Sequence, residues 1–148
     1  MTLAQEQGFV ISDDKALLNI DKVYRFLTEH STWALGIPKV TVETAIANSV
    51  CLAAYLGDEQ IAFCRIITDH ATFANLVDVI VWPEYRGLGV SKMLMKAVLG
   101  HPSITGVRRF TLATSNAHGL YRQFGFTALS KPDTFMEIYN PAIYTQLG

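Results

Sequence analysis

The chain has 148 residues, 50% of them hydrophobic, and a formal net charge of -1. This length predicts one domain with a substantial buried core, and the apolar fraction excludes a disordered or polar-tail protein. The charge is unevenly divided: Met1–Glu84 carries five Lys/Arg against eleven Asp/Glu, and Tyr85 onward carries seven against two, a pattern open to either two ligands of opposite charge or ordinary solvated surface.

The opening MTLAQEQGFVISDD has neither a basic stretch nor the apolar run of a secretory leader. The longest apolar run, Val50 to Leu56, falls well short of the roughly 20 residues of a membrane helix, so a soluble, cytoplasmic protein with no membrane partner is expected. Cys51 and Cys64 lack metal-ligand spacing and are expected to be reduced core residues. His30, His70, His101 and His118 likewise form no ligand cluster, and no metal is expected.

In chain order, Gly8 to Ser12 predicts a short strand. Asp21 to Glu29 places Val23, Phe26 and Leu27 at helical spacing, and Val42 to Asn48 predicts a second helix. Val50 to Leu56 and Gln60 to Thr68 are strand-like runs around a Gly57-Asp58 hairpin turn, and Phe73 to Trp82 adds a third strand. After Pro83 the period changes: Val90, Leu94, Ala97 and Val98 share one helical face, and the helix should stop near Gly100 and Pro102. Arg109 to Thr114 reads as a strand. Ala117 to Phe124 reads as a short helix, capped by Ser115 or Asn116 and ended by Gly125. Phe126 to Leu129 and Thr134 to Tyr139 are expected as two closing strands. The order βααβββαβαββ predicts an α/β (α+β) fold with a mixed sheet.

Between the third long strand and the amphipathic helix lies Arg86-Gly87-Leu88-Gly89-Val90-Ser91. Glycines there admit close approach of an anion to the backbone, and the free N–H groups that open a helix point at it. A diphosphate cradle and a tight turn that needs glycine for geometry alone are both compatible with that pattern. The third glycine of a dinucleotide fingerprint and the Gly-Lys-Ser/Thr of a P-loop are both missing.

In this stretch the sequence resembles the GNAT superfamily of acyl-coenzyme A dependent N-acetyltransferases. Arg86, Gly89 and Ser91 meet the family's Gln/Arg-x-x-Gly-x-Gly/Ala signature, with serine as a departure at the last position. Leu120-Tyr121-Arg122-Gln123-Phe124-Gly125-Phe126 resembles the family's Leu-Tyr-x-x-x-Gly-Phe segment. The resemblance spans Val50 to Tyr139 and implies a mostly antiparallel central sheet flanked by helices. It implies one N-acetyltransferase domain over residues 1–148, with 1–49 on the acceptor side and 50–148 forming the sheet and cofactor site. The cofactor-binding residues it implies are Arg86, Gly87, Leu88, Gly89, Val90 and Ser91 for the pyrophosphate of acetyl-CoA, and Val79, Ile80 and Val81 for the pantetheine. Thr114 stands where members often have asparagine. Tyr121 corresponds to the residue that protonates the departing thiolate, and a phenol with a pKa near 10 suits that work.

The acceptor implied is a small-molecule or peptide primary amine, which must be neutral to attack. A lysine-like amine is neutral only about one part in 2,500 at pH 7, whereas an α-amine is roughly a tenth neutral, so the first needs a base far more than the second. Asp78 heads the possible bases, with Asp69, His70, Glu84 and Glu137 behind it; strand alternation turns Asp78 to the face opposite Val79. Trp33 and Tyr24 are the residues expected to line an acceptor pocket, or else to pack in the core. Two other readings remain, a non-catalytic acyl-CoA sensor and a nucleic-acid module, the latter poorly supported because neither aromatic interleaving nor a large positive charge is present. The protein is expected to be a monomer or a homodimer.

Overall fold

The computed structural model describes residues 8–145. Five strands form one sheet in the order β1-β2-β3-β4-β5: β1 (Val10–Ser12), β2 (Val50–Leu56), β3 (Glu59–Thr68), β4 (Phe73–Val81) and β5 (Arg109–Leu112). The first four pair antiparallel, and β4 and β5 are parallel. The sheet is therefore mixed and mostly antiparallel, as expected. Four helices accompany it: α1 (Ile20–His30), α2 (Lys39–Ala47), α3 (Val90–Leu99) and α4 (His118–Arg122).

Each helix begins for a local reason. The Asn19 side chain accepts from the Lys22 N–H at the start of α1, and Pro38 precedes α2 with extended backbone that a helix can follow. The expected cap of α4 by Ser115 or Asn116 is corrected: Ala117 stands at the N-cap with no side-chain cap bond, and the Thr114 hydroxyl accepts from the Ala117 N–H in the turn before the helix.

Alternation along β2 explains the two-sided core. Leu52 and Ala54 belong to a cluster with Leu94, Met95 and Val98 of α3 and Tyr121 of α4. Cys51, Ala53 and Tyr55 belong to another with Val23 and Leu27 of α1 and Val42 and Ile46 of α2. A strand buried on both faces reads as a continuous apolar run, which is what Val50–Leu56 shows. Cys51 and Cys64 fall on opposite faces, Leu52 being the register partner of Cys64, and both are buried and free.

Two expected strands are corrected. Phe126 to Leu129 joins no ladder; Phe126 instead packs its ring against Phe110 and Tyr121, with centroids 5.3 and 5.9 Å away. Thr134 to Tyr139 is not a strand either, since Pro132–Thr134 forms a 3-10 turn and no neighbouring strand pairs with Phe135 to Tyr139. Alternating apolar residues supply strand propensity, but a strand exists only with a partner for its backbone. Among the described residues, no helix is long and apolar enough to cross a membrane.

Candidate active site

The site begins where β4 and β5 part. Only Phe73–Leu76 pair with Arg109–Leu112, so the remainder of β4, through Val81, keeps its β3 neighbour and has a free edge on the other side. A bulge interrupts this half of the strand. Phe63 faces Ile80 and Arg65 faces Val77, which leaves Asp78 and Val79 opposite Cys64 alone, with Asp78 in the left-handed region at φ 53°. Bulges of this kind re-aim the backbone and are common beside active sites.

Alternation then sorts the side chains. Val79 and Val81 pack toward the α3 face, whereas Ile80 belongs to the α1/α2 cluster. The Asp78 carboxylate is turned away from Val79, as strand alternation predicts. One of its oxygens accepts from the Trp33 indole N–H at 2.9 Å, and the other from Arg65 Nε at 3.0 Å. Arg65 also donates to the Ser49 hydroxyl at 2.9 Å. Asp78 and Arg65 are largely buried, so the pair is a fixed link between the bulge of β4 and β3, and Trp33 extends it to the connection from α1 to α2. Trp33 remains half exposed beside it, and Tyr24 packs half-buried against the α1/α2 core. Arg65 and Ser49 were missed in the sequence. The available signal was an arginine inside the otherwise apolar run Ile61–Ile67, where a buried charge needs a partner.

From β4 the chain passes a 3-10 turn at Pro83–Tyr85 into the glycine loop. Gly87 and Gly89 have φ of 78° and 85°, a conformation that costs a side-chain-bearing residue about 1–2 kcal/mol. Gly89 opens α3 without a side-chain cap, and the first helical bond from this loop is Met93 N–H to the Gly89 carbonyl. No hydrogen-bond acceptor within the described residues serves the N–H groups of Gly87 through Lys92. They border a groove of about 520 Å³ between Val81, Tyr85 and Lys92. Arg86 stays exposed, and its Nε donates to the Val81 carbonyl at 2.8 Å and ties the loop to the end of β4.

Tyr121 stands on α4, buried in the cluster that contains Cys64, Val90 and Leu94. Burial pushes its phenol pKa up, and the neighbouring Cys64 thiol adds to the same direction. Burial also raises Cys51 to about 11 and Cys64 further still, so neither is a thiolate at neutral pH. Thr114, besides accepting from Ala117 before α4, borders with Tyr121 a second groove along β5. Of the other groups singled out in the sequence, Glu84 sits in the 3-10 turn before the glycine loop and the rest lie away from it. Asp69 accepts from the Thr72 hydroxyl and from the N–H groups of Thr72, Ala71 and Phe73, which keep its carboxyl well below the usual range. His70 meets the Ser103 hydroxyl at 2.7 Å. Both residues occupy the β3–β4 turn, at the end of β4 opposite the glycine loop. Glu84 and Glu137 are exposed.

A parallel pair splayed at its carboxyl end, with a row of free amides opening the next helix, defines a class of protein built to seat an extended, anion-bearing ligand between strand and loop. Residues 47–128 match the family model described as "Acetyltransferase (GNAT) domain". A candidate GNAT-family acetyltransferase of known structure from Xanthomonas campestris pv. campestris is 47% identical, with 93% of this chain and 96% of that one covered and a TM-score of 0.91. A GNAT-family acetyltransferase structure from Streptococcus pneumoniae TIGR4 is 26% identical over 89% of this chain and 97% of that one, with a TM-score of 0.69. A candidate acetyltransferase of Gibberella zeae is 28% identical over 136 residues, covering 76% of this chain and 75% of its own. The chain belongs to the GNAT acetyltransferase family.

Proposed function

We propose that this enzyme transfers acetyl from acetyl-CoA to a primary amine by direct attack in a ternary complex. The observation that carries the reading is the run of amides from Gly87 to Lys92 that have no acceptor in the described structure, set beside the free edge of β4. Buried or semi-buried donors without partners are costly, and the oxygens of a diphosphate fit them. Gly87 has no atom within 4 Å of the place where a Cβ would stand, which leaves open room above the loop. The free edge at Val79–Val81 supports pairing with the amides of a pantetheine arm, as an added strand would pair.

Acetyl-CoA supplies the thioester and a good thiolate leaving group. Tyr121 holds a proton for that thiolate, because its raised pKa keeps the phenol neutral far above physiological pH. Cys51 and Cys64, both protonated and buried, are unsuited to form an acyl-enzyme, which favours direct attack by the amine. Asp78 has both oxygens engaged by Trp33 and Arg65, so we assign it to orienting the acceptor-side connection rather than to removing a proton. An amine that is already partly neutral at pH 7 fits a site in which Asp78 is committed in this way. The acidic first part of the chain favours an approaching ammonium.

A thiol-release assay with acetyl-CoA against a panel of α-amino acids, polyamines and peptides tests the reading, alongside calorimetric titration of coenzyme A. Turnover on at least one amine is expected. Tight cofactor binding with no transfer to any amine would overturn the reaction and leave a sensor of acyl-CoA.

A further inference from the structure

We propose that Asp78 is a positioning residue: its carboxylate, gripped by Trp33 and Arg65, holds the bulge of β4 in the shape that offers a backbone N–H to the carbonyl of the bound thioester. The inference rests on the acetyl-CoA reading above and adds to it a side chain that acts without touching the cofactor. The free edge of β4 runs from Val77 to Val81, because β5 pairs only as far as Leu76. A ligand with its phosphates on the glycine loop beyond Val81 extends back along that edge and stops where β5 closes it. Its reacting end therefore meets the bulge at Asp78 and Val79, which have no register partner on β3 or on β5.

The backbone at that point is strained. Among the described residues, His70 and Asp78 are the non-glycine residues with positive φ, at 64° and 53°. His70 occupies the β3–β4 turn, where such a conformation serves a reversal of the chain. Asp78 lies inside a strand, where no reversal calls for it. A conformation of this kind persists only where its surroundings over-determine it, and it gathers at functional sites.

The Asp78 carboxylate supplies that restraint. Its side chain is 11% exposed and that of Arg65 15%, so the charge-assisted bond between them is little weakened by water. One oxygen accepts from the Trp33 indole N–H and the other from Arg65 Nε. Both donors are themselves fixed. Arg65 Nη1 donates to the Ser49 hydroxyl, and that hydroxyl donates onward to the Ala45 carbonyl of α2 at 2.6 Å. Trp33 is followed by buried Ala34, whose N–H donates to the Ser31 hydroxyl at 3.0 Å. Thus β3, α2 and the α1–α2 connection converge on one carboxylate at the bulge. Stability of the fold does not call for this arrangement, since an apolar residue there would avoid burying a charge.

Calorimetry on the full chain, with no acceptor amine present, tests this by comparing acetyl-CoA with S-ethyl-CoA, which keeps the two-carbon group and lacks the carbonyl oxygen. The wild-type chain should favour acetyl-CoA by about tenfold, the worth of one good backbone hydrogen bond. Asp78→Ala should bring that preference down to about one, while S-ethyl-CoA binds within about threefold of its wild-type affinity because the glycine loop is untouched. Asp78→Asn, which still accepts from Trp33, should retain more of the preference than Asp78→Ala. Trp33→Phe removes one donor, keeps the Asp78–Arg65 pair and should cut the preference by about threefold. An unchanged preference in folded Asp78→Ala overturns the proposal; where that variant does not fold, an unchanged preference in Trp33→Phe does so. Equal weakening of both ligands also overturns it, since a merely structural residue acts in that way, as does a wild-type chain that binds the two equally. A wild-type chain that binds neither ligand overturns the acetyl-CoA reading itself and this inference with it.

Discussion

Tyr121 and Tyr55 are both buried tyrosines, and their hydroxyls have opposite prospects. Tyr121 borders the groove along β5 and is the proposed proton donor, so Tyr121→Phe should lower kcat by about a hundred- to ten-thousand-fold. The dissociation constant for coenzyme A should stay within about twofold, because the glycine loop is untouched; steady-state kinetics paired with calorimetry checks both halves. The Tyr55 hydroxyl is buried with no hydrogen-bond partner. A polar group in that position is a net cost, so Tyr55→Phe should raise stability by about 1 kcal/mol, read as a higher urea midpoint with unchanged slope. A fall in the midpoint would mean that the hydroxyl has a partner after all.

Two connections govern the site among the elements, and each concentrates its dependence in a residue whose role differs from its apparent chemistry. Gly89 enters α3 at φ 85°, so Gly89→Ala should cost about 1–2 kcal/mol in stability and raise KM for acetyl-CoA more than it lowers kcat, by the strain and the displaced amides together. Arg65 holds Asp78 at the bulge of β4. Removing one member of a largely buried pair leaves the other charge unmet, so Arg65→Met should destabilise by about 3 kcal/mol, measurable by chemical denaturation. Asp78→Asn, which keeps one acceptor and the side-chain volume, should cost less than Arg65→Met.

The glycine loop, α3 and the three long strands were legible in the sequence because each depends on neighbours along the chain: Gly87 and Gly89 on local backbone, Val90, Leu94 and Val98 on a helical period. The Trp33, Asp78 and Arg65 link was not, since it joins residues from three elements and no spacing along the chain encodes it. Thr134–Tyr139 was misread for a related reason. Its alternation is genuine, yet no strand among the described residues pairs with it.

At the scale of the whole molecule, stability should fall as the solution becomes alkaline. Cys51 has its pKa raised to about 11 by burial, so the folded thiol keeps its proton while the unfolded one ionises near its ordinary value. The stabilisation is therefore complete below about pH 9 and is lost as pH climbs toward 11. Tyr121 and Tyr55, also raised by burial, extend the decline above about pH 10. Urea midpoints measured between about pH 8 and 11 should drop over this window. Cys64, raised further still, contributes over the same window, so Cys51→Ala should make the drop shallower without abolishing it, although its cavity lowers the whole curve. The uneven charge also gains a location. Arg86 and Lys92 flank the loop, whereas Arg108, Arg109 and Arg122 gather at the β5 groove, so the basic part of the chain serves two places rather than one.

Arg86 is exposed to solvent, yet one of its nitrogens is committed to the end of β4. With its Nε committed to the Val81 carbonyl, it acts as a clasp on the loop, and much of the surface presented to a phosphate is made of uncharged amide dipoles. A grip built this way depends on the shape of the loop more than on the surrounding salt. In the proposed site, ionic strength would be felt through the exposed side chains of Arg86 and Lys92, while the amide cradle itself would respond little to salt.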